Sequence, residues 1–133
     1  MAKVEGLNKT LVKLLVSILR VIPMILAVCE AVNSGLYFFG IEAPVLSFIG
    51  GTSFIPLIFI YIASWVFGFC TYHRMFLYYI FTLHVINIID YTIGIPISNC
   101  AMLSVHSVIT AVFLFLVLYF RKKESCCKHL NVC

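Results

Sequence analysis

Two long runs without a formal charge constrain this chain more than any other feature. No Asp, Glu, Lys or Arg lies between Glu42 and Arg74, and none between Asp90 and Arg121. A soluble domain of 133 residues lacks the polar surface to hide two such runs. Charged residues make up 11% of the sequence and hydrophobic residues 63%, against a usual charged share of about 25%. The sequence therefore reads as an all-α integral membrane protein. A hydrocarbon core of about 30 Å needs roughly 20 apolar residues per helix. That length predicts four transmembrane helices as two antiparallel hairpins, with spans at about 12–33, 45–69, 75–96 and 98–120. They form one domain over residues 1–120, and residues 121–133 make a basic, cysteine-containing, water-exposed tail.

Basic residues set the expected orientation. Lys3, Lys9, Lys13 and Arg20 precede or enter the first span, Arg74 lies between the second and third, and Arg121, Lys122, Lys123 and Lys128 follow the fourth. The connections around Gly40 and Pro96 carry no Lys or Arg. Four spans with both termini cytosolic place every cation on one side, as positively charged loops require. Lys9, Lys13 and Arg20 also share a helical stripe, a membrane-surface anchor in which Arg20 snorkels to the headgroups. Leu26-Ala27-Val28-Cys29 resembles a lipoprotein cleavage box, but Val28 is larger than the residue usual before that cysteine. A retained first span is expected.

Within the spans the sequence punctuates itself. Pro23 should kink the first helix without ending it, and Asn33-Ser34-Gly35 should begin the first turn. Gly50-Gly51, Thr52-Ser53 and Pro56 weaken the outer half of the second span. The Ser47/Gly51 and Ser64/Gly68 pairs have the small-xxx-small spacing of close helix packing.

The polar residues of the third and fourth spans are the candidate site. His84, Asn87, Asp90 and Tyr91 fall within an arc of about 120° on one helix, and Asn99, His106 and Thr110 share a stripe on the next. Asn87 lies roughly 20 Å above Arg74 and His106 roughly 22 Å above Arg121. The predicted intramembrane cluster is His84, Asn87, Asp90, His106 and Thr110, with Glu30 and Asn33 entering from the first span. Such groups are costly against lipid and should face one another. They serve either as interhelical hydrogen bonds or as a proton or ion path. Two histidines are the minimum for haem ligation, and no Cys-x-x-Cys-His motif accompanies them, so no cofactor is expected.

In the tail, Cys126, Cys127, His129 and Cys133 are four metal-capable side chains whose spacing fits no standard zinc module. No metal site is expected, and a cytosolic tail keeps its thiols reduced. No nucleophile-base set, phosphate loop or paired carboxylate occurs, so the chain is read as non-enzymatic with no catalytic residues. The expected partners are the lipid bilayer and further copies of the chain. Nucleic acid is not among them, and no small-molecule ligand is identified.

The stretch Phe69-Cys70-Thr71-Tyr72-His73-Arg74-Met75-Phe76-Leu77-Tyr78-Tyr79, followed by Asn87-Ile88-Ile89-Asp90-Tyr91-Thr92-Ile93-Gly94-Ile95-Pro96, resembles short uncharacterised four-span membrane proteins of gut Bacteroidota phages and prophages. That resemblance covers most of the last three spans and carries no assigned activity. It implies a phage-related role in a bacterial inner membrane, of which a holin-like function through self-association is the commonest for a small multi-pass protein. The other expectation is a small proton- or ion-conducting or sensing protein built on the polar cluster.

Overall fold

The computed structural model describes residues 2–94 and 99–129, with side chains for 8–94, 102 and 104–124. It is all-helical: α1 (Ala2–Phe38), α2 (Pro44–Thr52), α3 (Phe54–Val66), α4 (Thr71–Ile93) and α5 (Asn99–His129). Three stretches are long and apolar enough to cross a membrane: Asn8–Phe38, Thr71–Ile93 and Ser104–Glu124. The α2–α3 pair passes the same criterion together but is bent by 50°. These elements are compatible with a multi-pass membrane protein of three or four crossings.

The first helix is longer than its pattern predicts. It has 37 residues, about 55 Å, and runs through Pro23 and through Asn33-Ser34-Gly35 without a break. Its end comes at Gly40, which takes φ +74°. There Ile41 N donates to Leu36 O at 2.9 Å and Gly40 N to Tyr37 O at 3.0 Å. This paired closure needs a left-handed residue, which glycine adopts without a Cβ penalty. Gly68, at φ +63°, ends α3 in the same way, with Phe69 N donating to Ser64 O at 2.8 Å.

The second predicted span is two helices. Pro56 has no N–H to offer the carbonyl of Thr52 one turn earlier, so the ladder breaks there. The neighbouring hydroxyls turn back onto their own chain. Thr52 Oγ1 donates to Phe48 O at 2.8 Å and Ser53 Oγ to Gly50 O at 2.9 Å. The bend at Ser53 swings α2 away from the line of α3. Weakness legible in the sequence has become a bend.

The core is built around α4, whose Phe76, Leu77, Tyr79, Ile80 and Leu83 are all buried. Ala27 of α1, Leu57 and Ile60 of α3, and Val117 of α5 close over them. The contacts Tyr72–Glu124, Phe76–Phe113 and Tyr79–Thr110 run in opposite chain order, so α4 and α5 are antiparallel. Their seam is aromatic, with Tyr79 stacked on Phe113 at 4.2 Å between ring centroids. Among the described residues, the first helix packs against each of the other four, whereas α5 touches only α1 and α4. That central position of α1 decides where the polar side chains go.

Candidate functional site

A cleft of about 270 Å³ lies between α1, α2 and α4. Each wall is one helical turn of polar or small residues. Glu30 and Asn33 come from α1, His84 and Asn87 from α4, and Ser47, Gly50 and Gly51 from α2. Ile80 and Leu83 form the apolar floor. The i, i+3 spacing puts each polar pair on one helix face.

The glycine wall has a specific reason. The Glu30 carboxylate lies so close to Gly50 that a Cβ there would collide with Glu30 Oε1. Only glycine lets the carboxylate fit beside the broken helix. On the opposite side, His84 Nε2 is 3.5 Å from Ser53 Oγ, at the break itself, and its ring packs edge-on against Phe54 at 5.2 Å. The bend between α2 and α3 is thus seated on the imidazole of α4.

The predicted cluster of His84, Asn87, Asp90, His106, Thr110 and Glu30 is divided between two clefts. His84, Asn87 and Glu30 line the one just described. His106 and Thr110 line a second, more apolar cleft of about 370 Å³ between α1 and α5, with Ser34, Gly35 and Phe38. There His106 Nδ1 is buried without a hydrogen-bond partner among the described residues. Thr110 instead reaches back to the Tyr79 hydroxyl at 3.0 Å. Asp90 is half-buried one turn beyond Asn87 and lines neither cleft. The physical reason is the placement of α1, which packs against both α4 and α5. Beside His106, the direct α4–α5 seam is formed by Tyr79 with Phe113 and Thr110.

Ser47, Gly50, Gly51 and Ser53 join the site, although Ser47/Gly51 reads as a packing pair and Gly50-Gly51 and Thr52-Ser53 as a weak stretch of helix. Their signal was the coincidence of two glycines, two hydroxyl residues and a proline in one span, which marks irregular backbone lining a cavity.

The basic residues collect at the other end of the bundle. The Arg20 guanidinium lies 5.1 Å from the Phe69 ring centroid, and that of Arg74 lies 4.4 Å from Trp65. Neither Nε has a hydrogen-bond partner among the described residues, and each guanidinium lies within cation–π range of a ring face. Lys9, Lys13, Arg121, Lys122 and Lys123 are exposed. Glu124 meets Tyr72 at this same end. The side chains of Asn99, Cys126, Cys127, His129 and Cys133 lie outside the described residues, although the α5 backbone continues to His129. Among the described residues no three His, Cys, Asp or Glu side chains gather as a metal-binding group.

Chemically the cleft offers one carboxylate, two carboxamides, a hydroxyl and an imidazole beside an interrupted helix. Hard oxygen donors with a single negative charge suit a proton or a small monovalent cation better than a divalent metal. Compared with known proteins, the chain matches no family model, no curated protein and no solved structure.

Proposed function

We propose that this chain is a non-enzymatic, multi-pass inner-membrane protein that passes or senses a proton or small cation through the cleft between α1, α2 and α4. The observation that carries this reading is the Glu30 carboxylate set against Gly50 of the broken helix, in one cleft with Asn33, His84 and Asn87. Interrupted membrane helices expose backbone groups where they line cavities, and ionisable residues at such places mark ion and proton paths. The bent α2–α3 pair serves as one span, giving four crossings with both termini in the cytosol. The collection of Arg20, Arg74 and the exposed Arg121–Lys123 at one end supports that orientation.

The test is flux in lipid vesicles. Purified protein should dissipate an imposed proton or monovalent cation gradient, and Glu30→Gln should remove that activity while the protein stays folded. A Glu30→Gln variant as active as the unsubstituted chain would sink the reading. A second reading, a phage-related and holin-like role through self-association, draws support from the aliphatic face that α1 leaves uncovered. Expression should then be toxic irrespective of Glu30.

A further inference from the structure

The cleft between α1, α2 and α4 is closed toward the basic end. Going inward from its polar turn, the chain presents packed apolar residues on every side: Ala27 of α1, Ile80 and Leu77 of α4, and Leu57 of α3. None of these four is more than 2% exposed. Glu30 lies ten residues beyond Arg20, so about 15 Å of helix separates the carboxylate from the basic end. Asn33 and the exposed Asn87, each one turn further out, mark the opposite side. What enters there is held against the floor before any passage.

The charge in this cleft is not neutralised by the protein. No Lys or Arg lines it, and the imidazole of His84 is turned to Ser53 at the break. The last turn of α2, at Gly50 and Gly51, brings the negative end of a helix dipole to the same wall as the Glu30 carboxylate. Among the described residues, the side chains of Glu30, Asn33 and Asn87 make no hydrogen bond to the protein. A carboxylate and two carboxamides therefore line one space with no partner from the chain.

Cations differ in what they need from such a space. A proton needs Glu30 alone and leaves the two carboxamides without a role. A dehydrated alkali ion needs oxygens that converge on one point in place of its water shell. Here the acceptors stand on separate helices around about 270 Å³, the volume of about nine waters. A quaternary ammonium donates no hydrogen bond and is held by aromatic faces, none of which lines this cleft. A primary ammonium carries three N–H donors, enough for the carboxylate and both carboxamide oxygens. Its carbon chain has room along the glycine wall, where a Cβ on Gly51 would meet nothing within 4 Å.

The geometry points to a small primary alkylammonium as the ligand of this cleft, with its N–H groups on Glu30, Asn33 and Asn87. This inference rests on the cleft reading and names the small cation that the cleft takes. The depth of the site selects a free amine over an aminolipid headgroup. Glu30 lies eight residues, about 12 Å, inward of the end of α1 at Phe38.

The experiment titrates n-butylammonium into the purified full chain in a non-ionic detergent near neutral pH and reads the heat of binding. Affinity should fall roughly ten- to a hundredfold in Glu30→Gln, as for a lost hydrogen bond to a charged group. Asn87→Leu, at an exposed position clear of the core, should lower it about two- to tenfold. Tetramethylammonium and sodium at the same concentration should not compete, and neither should added phosphatidylethanolamine. Absent n-butylammonium binding, equal binding by a folded Glu30→Gln chain, or competition by tetramethylammonium or sodium would overturn the inference. Competition by phosphatidylethanolamine would overturn the choice of a free amine. Failure with n-butylammonium while Glu30→Gln still removes proton or sodium flux would strike this ligand and leave the cleft reading standing. Flux indifferent to Glu30 would strike the cleft reading itself.

Discussion

The Glu124 carboxylate of α5 accepts a hydrogen bond from the backbone N–H of Tyr72, at 2.8 Å, in the first turn of α4. The first N–H groups of a helix have no partner within it, and a negative charge there also meets the positive end of the helix dipole. The local N-cap, Cys70, makes no side-chain hydrogen bond. A residue 52 positions away in the chain therefore does the capping. The contact also fixes how far α5 slides along α4.

Removing that cap should loosen the basic end without unfolding the bundle. Glu124→Ala is expected to cost about 0.5–2 kcal/mol, the usual range for a lost helix cap. Glu124→Gln should recover part of this, because an amide oxygen still accepts while the charge is gone. Thermal unfolding in detergent reads both. A pair of unchanged midpoints would show that Glu124 carries no stabilising contact.

Gly50→Ala should disturb Glu30 directly, since the added methyl meets its carboxylate. In an otherwise unchanged chain the variant should lower both thermal stability and flux. In a Glu30→Ala background the same substitution should be nearly neutral for stability, and the double-mutant cycle should give a coupling of about 0.5–3 kcal/mol. Additive effects would separate the two residues.

Topology is open to a simpler measurement. Reporter fusions after Lys128 and within Gly40–Ala43 should report opposite compartments if four crossings leave both termini in the cytosol. Equal signals from the two sites would remove one crossing from this arrangement, and the bent α2–α3 pair would be the one to go.

Helical content and helices apolar enough to cross a membrane were legible in the charge-free runs, because lipid demands internally satisfied backbone and removes the need for polar surface. The bend between α2 and α3 was half legible. Pro56 and the Gly50-Gly51 pair announce weakness, but nothing in the pattern places His84 beside Ser53 and Phe54 at the 50° bend. Periodicity placed His84 with Asn87 on one arc of α4, and they do line one cleft. It had no means of knowing that α1 would pack against both α4 and α5, so that His106 opens into a different cleft from His84. Pattern along a helix is a property of one chain segment, set by 3.6 residues per turn. Which helix fills the space opposite is settled only when side-chain shapes such as Gly50 against Glu30, or Tyr79 on Phe113, are brought together in three dimensions.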